Sequence, residues 1–447
     1  MILMSVDDIG RVVGGQVHGD GDVPVTASAT LDSRDVPPGG LFLALAGEHV
    51  DGHDFAAKAL AGGASAVLST RPVKEPCIVV DDVTLALARL ATHVLGRLDP
   101  VVIAITGSQG KTSVKDLLAE VLEPSGATIA PVGSFNNELG VPLTVLRADQ
   151  ETRYLVIEMG ARGVGHIADL CRIAPPDVAV VLNVGQAHVG EFGSPDVTAR
   201  AKGEIVEALS AEGTAILNAD DERVAAMASR TSARILTFGA TGEVVLGDVS
   251  VDDAGEPSFT LAHAGTTVEV HVPQIGAHHA INAAAAATTA LALGLDLPTI
   301  AVRLDHAGPR SPMRMARQVR DDGLVVIDDA YNANPESMSA ALHALAGIGH
   351  GRRVAVLGEM LELGDGSQDA HVEVGRLAAE LGVDRVVAVG AGAAGIAEGA
   401  GERGTAVADV DAAVRELSAW LAPSDVVLVK ASRGVRLERV TQALLGG

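Results

Sequence analysis

Residues 101–113 read VVIAITGSQGKTS, and this stretch decides the fold. Five apolar residues run directly into a glycine-rich turn that ends in Lys111-Thr112, and residues 111–122 then repeat apolar side chains at helical spacing. A buried strand, a glycine-rich turn and an amphipathic helix in this order are typical of a phosphate-binding loop. The leading glycine of the usual P-loop expression is missing, because Ile105 stands in its place.

The residue types in this turn suit phosphate and a metal ion. Backbone N–H groups in such a turn form an anion-binding nest, and the helix N-terminus adds a favourable dipole. Lys111 can reach the β- and γ-phosphates, and the Thr112 hydroxyl can ligate Mg²⁺. An ordinary strand–helix turn with a chance GK[ST] is the alternative. The residues predicted to bind a nucleoside triphosphate here are Thr106, Gly107, Ser108, Gln109, Gly110, Lys111, Thr112 and Ser113.

The composition is that of a globular protein with several domains. The chain has 447 residues, which is too many for one core, so about two to four domains are expected. Apolar residues make up 48% and aromatic residues only 2%. The core must therefore consist mainly of Val, Leu, Ile and Ala, which suits buried parallel strands covered by helices.

Charge and targeting signals exclude several classes of protein. The net charge of −24 repels phosphate, so no nucleic-acid partner is expected. Cys77 and Cys171 are the two cysteines, which excludes a disulfide scaffold and favours a reduced, cytoplasmic location. Asp7 and Asp8 stand where a signal peptide needs an apolar stretch, and the longest weakly polar run, 283–295, is too short to span a bilayer.

Three blocks follow one another along the chain. Residues 1–98 mix short β runs such as LFLALAG, SAVLST and CIVV with turns, and end in a helical stretch at 84–95. Residues 99–307 alternate continuous apolar runs with helices, which predicts a parallel sheet covered on both faces. Residues 308–447 repeat this alternation, as in a second, smaller doubly wound domain.

The second half of the middle block departs from this alternation. The runs ILTFG, VVLGDVSV, SFTLAHA and TTVEVHV in residues 235–273 look like shorter antiparallel strands, either inserted in the domain or appended to it. An Ala-rich helix at 281–293 follows. We expect this helix to pack in the core, with the polar residues at its start free to contact a ligand.

Polar motifs follow the predicted parallel strands, where open α/β sheets bind ligands. Glu158 follows the run YLVI directly, and His188 in NVGQAHVGEFG follows VAVVL. Either residue alone is a weak signal, since a lone histidine in a loop is more often a surface group. Together, at adjacent strand ends beside a phosphate loop, they are candidate metal ligands.

Several of these motifs resemble those of one family. In chain order, TGSQGKTS, NNELGVPLTVL, VIEMGARG, NVGQAHVGEFGS, ARAKGEI, DDAYNANPESM and LGEMLELG closely resemble the Mur ligases of bacterial cell-wall synthesis. The resemblance covers nearly the whole chain. It implies a three-domain α/β fold, with a central parallel-sheet ATPase domain of the P-loop type, an N-terminal α/β UDP-sugar-binding domain and a C-terminal Rossmann-like domain.

The resemblance also implies a reaction and its cofactors. A free carboxylate is a poor acyl donor, so such enzymes transfer the γ-phosphoryl group of ATP to it, and an amine then displaces phosphate. Catalysis of this kind rests on positioning and charge neutralisation. The implied cofactors are ATP, two Mg²⁺ ions and CO₂, the last as a carbamate on Lys202 in ARAKGEI. Carbamylation needs a neutral and therefore desolvated amine, whereas the local pattern alone indicates a solvated surface lysine.

Further roles are carried over from the family motifs. Asn282 in GAHHAINAA is expected at the adenine, and His279 stands where relatives usually have an asparagine. Arg314 is expected to touch the γ-phosphate, although its usual context GRxE is not kept, and Asp329 is expected at the ribose. The implied catalytic residues are Lys111, His188, Lys202 and Arg314, and the implied metal ligands are Thr112, Glu158, His188 and Lys202.

The implied substrates are UDP-N-acetylmuramoyl-tripeptide and D-alanyl-D-alanine. Arg34 could pair with the diphosphate through two hydrogen bonds, or simply be an exposed arginine. Residues 136–138 could bind substrate or cap the following helix. The candidate substrate-binding residues are Ser33, Arg34, Gly47, Asp51 and His53 in the first block, Asn136, Asn137 and Glu138 in the second, and Tyr331, Asn332, Glu359, Lys430, Ser432 and Arg433 in the third.

Two other functions remain open from the sequence. One is a sister ligase of the same family that adds a single amino acid instead of a dipeptide. The other is a nucleotide-dependent switch or scaffold protein that uses the loop only for binding; Lys202 and His188 argue against it. The sequence does not reveal whether the third residue of the peptide is lysine or diaminopimelate.

Overall fold

The computed structural model describes residues 1–47, 50–185 and 194–446, which build three successive α/β units, each around its own sheet. The α/β class and the parallel character of the sheets confirm the predicted fold class. The boundaries at 98/99 and 307/308 stay predictions. Within the described parts of the chain, no helix combines the length and the apolar character that a bilayer crossing requires.

The first unit is a five-stranded sheet in the order β2-β7-β6-β5-β4, parallel except for the pairing of β2 with β7. A separate antiparallel pair joins β1 to β3. The strands are β1 Met4–Ser5, β2 Gln16–His18, β3 Pro24–Val25, β4 Ala29–Thr30, β5 Leu41–Leu43, β6 Ala66–Ser69 and β7 Cys77–Val79, and the helices are α1 Val6–Val13, α2 Ala56–Ala61 and α3 Val83–Leu95.

Capping residues explain where two of these helices begin. Ser5 and Asp8 form a capping box at the start of α1, so the acidic pair that spoils a signal peptide lies in the first turn of a helix. The Asp82 carboxylate accepts hydrogen bonds from the N–H groups of Thr84 and Leu85 and starts α3. The helix predicted for residues 84–95 is confirmed.

The central unit is a ten-stranded sheet in the order β15-β16-β14-β13-β12-β11-β8-β10-β9, with β17 paired to β16. Its strands are β8 Val101–Thr106, β9 Thr128–Ile129, β10 Tyr154–Glu158, β11 Val178–Val181, β12 Thr214–Asn218, β13 Arg234–Gly239, β14 Val244–Leu246, β15 Ser250–Val251, β16 Pro257–His263 and β17 Thr266–His271. Its helices are α4 Lys111–Leu122, α5 Gly140–Val145, α6 His166–Ile173, α7 Pro195–Lys202, α8 Glu204–Glu207, α9 Glu222–Ala225, α10 His278–Ala292 and α11 Leu297–Leu304.

The prediction of antiparallel strands across residues 235–273 was wrong for its first part. β13 pairs with β12, and β14 with β13, in the parallel sense, whereas β16 pairs with β14, β15 and β17 in the antiparallel sense. The connection from β12 to β13 contains α9, which carries the chain back along the sheet. A helix this short leaves little periodicity in the sequence, so the crossover could not be predicted.

The C-terminal unit is a six-stranded sheet in the order β18-β19-β23-β20-β21-β22. All its pairings are parallel except β18–β19, and the edge strand β18 was not predicted. The strands are β18 Ala316–Val319, β19 Val325–Asp329, β20 Arg353–Gly358, β21 Arg385–Val389, β22 Gly404–Val407 and β23 Val426–Lys430, and the helices are α12 Pro335–Gly347, α13 Ser367–Glu380, α14 Ala394–Ala400, α15 Val410–Trp420 and α16 Glu438–Leu445.

The core consists of small and branched aliphatic side chains, as the composition predicts. In α4, the side chains of Val114, Leu117, Leu118, Val121 and Leu122 are all fully buried. They pack against the central sheet and against the Ala-rich face of α10. This packing holds the N-terminal end of α4, and therefore the loop before it, at the carboxyl end of β8.

Candidate active site

A cleft of about 690 Å³ lies between the central sheet and the C-terminal unit. The parallel strands β8 and β10 end at the same sheet edge, so side chains far apart in the sequence converge there. The predicted site residues that line the cleft are Ser108, Gln109, Gly110, Lys111, Thr112, Ser113, Asn136, Asn137, Glu138, Glu158, Lys202, Asn282, Arg314, Asp329, Tyr331, Asn332, Lys430 and Arg433.

The other predicted site residues lie elsewhere. Thr106 is buried directly behind the loop, where its hydroxyl donates to the Met159 carbonyl at 2.9 Å. Gly107 packs so closely that an added Cβ would lie 2.9 Å from the Cβ of Leu182. His188 lies outside the described residues. The remaining ones belong to the two flanking units: Ser33, Arg34, Gly47, Asp51, His53, Glu359 and Ser432.

The loop is braced by Asn183, which the sequence analysis did not single out. Its carbonyl accepts from the Ser108 N–H at 3.1 Å, and its side chain exchanges two hydrogen bonds with the Gln109 backbone, at 3.0 and 3.2 Å. These two amides are therefore not available to phosphate. The N–H groups of the first turn of α4, which have no intrahelical acceptor, remain to hold an anion.

Glycine is required at the last position before α4. Gly110 has φ +81°, and a Cβ there would lie 2.6 Å from Oδ1 of Asn282. Asn282 is itself buried and lies against the loop, so the start of α10 forms one wall of the phosphate site. The loop conformation and this contact both exclude a side chain at residue 110.

Lys111 closes the loop from inside. Its ammonium donates to the Gly107 carbonyl at 2.6 Å. Burial lowers the pKa of Lys111, the charge of Glu158 opposes this effect, and the charge of Arg314 adds to it. An anion placed between the ammonium and the helix N-terminus would replace an internal hydrogen bond with a stronger, charge-assisted one.

Oxygen atoms collect around Thr112 at the end of β10. The Thr112 hydroxyl donates to Oε2 of Glu158 at 2.9 Å, and the other oxygen of this buried carboxylate accepts from Asn136 at 2.7 Å. Because the Thr112 proton points to Glu158, the hydroxyl of Ser134, 2.6 Å away, must donate to Thr112. Ser134 was missed by sequence analysis; its only signal is its place in the loop before NNE.

Arg314 reaches this cluster from the linker before β18. Its Nη2 donates to Ser134 Oγ at 2.9 Å and to Thr112 Oγ1 at 3.3 Å. The guanidinium carbon lies 4.2 Å from the ring centroid of Tyr331. Its buried Nε has no hydrogen-bond partner among the described residues, so one donor of the guanidinium stays open for a ligand.

Lys202 lies at the end of α7 and faces the same cleft. It is only 3% exposed, so the alternative of a solvated surface lysine is wrong. Desolvation, together with the charge of Lys111, moves its pKa well below the ordinary lysine value. The neighbouring Glu204 does not neutralise it, because that carboxylate caps α6 through the N–H groups of Gly165 and Ala168. Burial therefore favours the neutral form of this amine.

Two stacked histidines line the cleft at the start of α10. The ring centroids of His278 and His279 are 4.4 Å apart. Burial lowers the pKa of His278 to about 4, and burial and His278 move that of His279 well below its usual range. Within the described parts of the chain, neither ring nitrogen of His279 has a hydrogen-bond partner. A neutral imidazole whose ring nitrogens have no hydrogen-bond partner could pair with the edge of a nucleobase.

The C-terminal wall contains a buried ion pair. Lys430 donates to Oδ2 of Asp329 at 2.6 Å and to the Asn332 carbonyl at 2.8 Å. Burial lowers the pKa of Lys430, and the charge of Asp329 opposes this effect. The other oxygen of Asp329 accepts from the Met315 N–H at 3.2 Å, so this pair also ties the C-terminal sheet to the linker that carries Arg314.

The remaining C-terminal candidates are occupied by internal contacts. The Ser432 hydroxyl accepts from the Leu361 N–H at 3.0 Å and so fixes the loop after β20. The Glu359 carbonyl accepts from the Ser432 N–H. Arg433 faces the cleft and pairs with Glu438 at 3.2 Å.

In the N-terminal unit, the predicted substrate residues bind one another. Arg34 makes a bidentate pair with Asp32, with a shortest distance of 2.7 Å. His53 is buried; its Nδ1 lies 2.5 Å from Asp51, and its Nε2 accepts from the Thr70 N–H at 3.2 Å. These contacts fix the proton on Nδ1 of His53 and hold the turn at residues 51–55 in place.

Fold and cleft together define a class: multidomain α/β proteins in which a phosphate-binding loop on one sheet faces a second domain. Three family descriptions match successive parts of the chain, "Mur ligase family, catalytic domain" over residues 27–94, "Mur ligase middle domain" over 105–290 and "Mur ligase, glutamate ligase domain" over 313–433. The chain belongs to the Mur ligase family.

Similar proteins with names or solved structures cover the whole chain. It is 46% identical, over 100% of its length and 98% of the relative's, to the UDP-N-acetylmuramoyl-tripeptide–D-alanyl-D-alanine ligase of Mycobacterium bovis. The crystal structure of MurF from Acinetobacter baumannii superposes with a TM-score of 0.87 at 33% identity and covers 100% of both chains. MurF from Thermotoga maritima in complex with ADP gives a TM-score of 0.78 at 31% identity, covering 94% and 97%.

Proposed function

We propose that this protein is an ATP-dependent ligase that joins D-alanyl-D-alanine to UDP-N-acetylmuramoyl-tripeptide in peptidoglycan synthesis, in the cytoplasm. The observation that carries the proposal is the convergence of Lys111, Thr112, Glu158, Lys202 and Arg314 on one cleft between two domains. It is supported by 46% identity over the whole chain to a relative named for this reaction.

ATP is the proposed nucleotide, with its phosphates on the first turn of α4. The support is the open row of N–H groups, the ammonium of Lys111 and the ADP complex of the Thermotoga maritima relative. In this arrangement the base lies toward α10, where Asn282 and the neutral ring of His279 offer hydrogen-bonding atoms. The Asp329 carboxylate, on the opposite wall, is the proposed partner of the ribose.

The donor set around Thr112 fits Mg²⁺. A hydroxyl, a carboxylate and an amide, from Thr112, Glu158 and Asn136, offer the hard oxygen atoms that this ion prefers. Magnesium bound there would neutralise charge on the phosphates during transfer. A second Mg²⁺ is proposed to be bound by His188, which lies outside the described residues.

The protein's own groups then have distinct tasks. Lys111 holds the β- and γ-phosphates, and Arg314 brings a second cation to the same place from the C-terminal side. Their charges reduce the repulsion between ATP and the peptide carboxylate, and they stabilise the phosphoryl group as it passes to that carboxylate. The resulting acyl phosphate is attacked by the dipeptide amine, and inorganic phosphate leaves.

Lys202 is proposed to carry a carbamate. CO₂ reacts only with an unprotonated amine, and the buried Lys202 supplies one. The product is an anion with two oxygen ligands in a cleft that also holds the cations Lys111 and Arg314. Carbamylation would therefore place a negative charge at this wall and help to bind metal.

The substrate ends are assigned to the two outer units. Arg34 and the turn around Asp51 and His53 are the proposed UDP-sugar contacts, and Lys430, Arg433 and their neighbours are the proposed contacts of the small dipeptide. Arg34 is exposed, and it forms its ion pair with Asp32 at the surface. A diphosphate can therefore compete with Asp32 for the guanidinium. Closure of the outer units over the cleft would exclude water from the acyl phosphate.

The decisive experiment is mass analysis of the products formed from ATP, D-alanyl-D-alanine and UDP-N-acetylmuramoyl-tripeptide, with lysine or diaminopimelate as third residue. The expected product is the pentapeptide, and ¹⁸O in the terminal carboxylate of the tripeptide should appear in the released orthophosphate. Ligation of a single amino acid in place of the dipeptide would instead indicate a sister ligase. ADP release without both co-substrates would favour a nucleotide-dependent switch and overturn the proposal.

A further inference from the structure

A buried ion pair lies behind the cleft, outside the residues that line it. Lys115 and Asp116, one turn after Thr112 in α4, are 2% and 7% exposed, and Lys115 Nζ lies 2.5 Å from Asp116 Oδ1. Neither side chain faces the cleft, so no substrate or nucleotide touches it. The proposed mechanism gives this pair no task.

The pair ties together three segments that are distant in sequence. Lys115 also donates to the Pro131 carbonyl at 3.0 Å and to the Ser311 hydroxyl at 3.1 Å. The second oxygen of Asp116 accepts from the Ser311 N–H at 3.1 Å. Helix α4, the segment that follows Pro131 and the linker that follows Ser311 therefore meet at one buried ammonium.

Each of these segments delivers a group to the phosphate end of the cleft. The helix carries Thr112, the segment after Pro131 carries Ser134, and the linker carries Arg314. The three groups are bonded to one another, with Arg314 donating to both hydroxyl oxygens. The ion pair therefore lies at one end of a junction of three segments, and the group of Thr112, Ser134 and Arg314 lies at the other.

The linker between the two ends has little freedom. Met313 and Met315, on either side of Arg314, have φ +57° and +50°, in the left-handed region that non-glycine residues seldom adopt. Such a conformation persists only where the surroundings fix it. Ser311 is fixed by the ion pair on one side, and the Met315 N–H by Asp329 on the other.

Stability alone does not account for the pair. Taking two charges out of water offsets most of their attraction, and apolar residues of similar volume are often equally stable in such a place. What an apolar pair cannot do is hold Ser311 and Pro131 by directed hydrogen bonds. The free-energy cost of burying Lys115 and Asp116 is explained if the pair fixes the position of the linker at Ser311.

We propose that Lys115 and Asp116 are positioning residues that set Arg314 against the phosphates by anchoring the linker at Ser311. The inference rests on the proposed ligase reaction and adds two residues to it. They act through Ser311 and Ser134 and do not touch substrate. A small shift of the anchor misplaces the guanidinium and affects the transition state more than the binding of ATP.

The test replaces both charges at once. The variant Lys115→Met/Asp116→Leu replaces both charged side chains by apolar ones of similar shape and leaves no unpaired buried charge, so it should fold with a thermal midpoint close to that of the wild type. We expect its kcat to fall about 10- to 100-fold, with KM for ATP changed less than about threefold. In an Arg314→Ala background, the same double substitution should lower kcat further by less than about twofold.

Arg310→Gln is the matched control. Arg310 lies on the same linker and pairs with Glu120 and Glu123 of the same α4 region, at 2.7 and 2.6 Å, but at the surface. Its substitution should leave kcat within about twofold. A double variant with the kcat of the wild type, a loss independent of Arg314, or an equal loss in Arg310→Gln would each overturn the positioning role.

The experiment distinguishes failure of the positioning role from failure of the proposed ligase function. If the wild type forms no pentapeptide, the ligase proposal fails and this inference fails with it. If the wild type ligates and the variants behave as the control does, the ligase proposal stands and only the role of Lys115 and Asp116 is wrong.

Discussion

The cleft and the turn around His53 are both rich in predicted polar residues, yet they differ in what these residues bind. In the cleft, Arg314 Nε and both ring nitrogens of His279 are buried without a partner among the described residues, and Lys202 is buried with a lowered pKa. Around His53, each ring nitrogen has a partner, and Asp51 is shared with Arg71.

The difference separates polar groups that are open to a ligand from polar groups that must first release a partner. A buried polar group without a partner costs free energy, so the packing around it must hold it there. Such a group gains its partner when a ligand arrives. Polar groups that already satisfy one another stabilise the turn, and a ligand must displace a partner before it can bind them.

The largest expected effect is that of Lys111→Met. Removing this cation from the phosphate loop should lower kcat by about 10²–10³-fold, because the other lysine of α4, Lys115, does not line the cleft and cannot replace it at the γ-phosphate. Stability should be unchanged or slightly raised, since a partly buried charge with a lowered pKa is removed. Steady-state ligation and thermal unfolding measure the two quantities.

Lys58→Met is the control for this prediction. Lys58 is an exposed lysine on α2 of the N-terminal unit, so its substitution should alter neither activity nor stability. A Lys111→Met protein that is less stable but fully active when folded would show that the loop lysine is structural, and the distinction between the two regions would then be lost.

His53→Ala should have the opposite effect to Lys111→Met: it should lower stability. The variant loses the hydrogen bonds to Asp51 and Thr70 and leaves a cavity, so the free energy of unfolding should fall by about 2–4 kcal/mol. The exposed His350 provides the matched control, with an expected change within about 0.5 kcal/mol for His350→Ala. Chemical denaturation measures both.

Kinetics would distinguish a second role for His53. If His53→Ala keeps its stability but raises KM for the UDP-linked substrate, then the ring contacts the ligand directly, and groups that bind one another in this turn are binding groups after all.

The parts of the site that could be predicted are those in which chemistry and periodicity act locally. The strand, turn and helix of residues 101–122 lie adjacent in sequence, so the fold of the loop and the place of Lys111 and Thr112 follow from it. Glu158 was found because it directly follows a continuous apolar strand. These predictions need no knowledge of long-range packing.

What could not be predicted depends on packing between distant segments. The burial of Lys202 results from the way α7 packs against the helices α6, α8 and α9, and its local sequence, with Arg200 and Glu204 nearby, indicates a surface helix. Asn183 and Ser134 act through backbone and hydroxyl contacts to the loop, which leave no residue pattern. The parallel direction of β13 was missed because its crossover contains too short a helix.

A third, smaller effect concerns Asp328, the buried neighbour of Asp329 at the end of β19. Burial raises its pKa from the ordinary 3.8 to about 6, despite one hydrogen bond from the Ala330 N–H. Since the folded-state pKa is raised, stability is fully present below pH 3.8 and is lost as the pH rises through about 6. Asp328 therefore combines features of both regions: its carboxyl group is buried like the cleft groups, but it has only part of its hydrogen-bonding capacity filled.

The variant Asp328→Asn should remove this dependence on pH. It keeps an oxygen for the Ala330 N–H and carries no charge, so at pH 8 it should be more stable than the wild type by about 1–3 kcal/mol, and the two should converge near pH 4. The exposed Asp322, whose pKa Arg320 lowers to about 2, should behave oppositely, with Asp322→Asn losing a little stability above pH 4. Equal stability of Asp328→Asn and the wild type at pH 8 would contradict the claim that the charged Asp328 carboxylate destabilises the folded protein.

The smallest effect is expected for Arg34, an exposed residue of the N-terminal set that could exchange its partner Asp32 for a ligand. Its pair with Asp32 is exposed, so Arg34→Gln should leave the unfolding transition unchanged. If the guanidinium leaves Asp32 for the diphosphate, KM for the UDP-linked substrate should rise about fivefold with kcat unchanged, and Arg34→Lys should recover only part of the loss because it lacks the fork. Asp32→Asn should then lower KM, since the arginine no longer has a competing partner. An unchanged KM in all three variants would place Arg34 with His53, among groups that bind only one another.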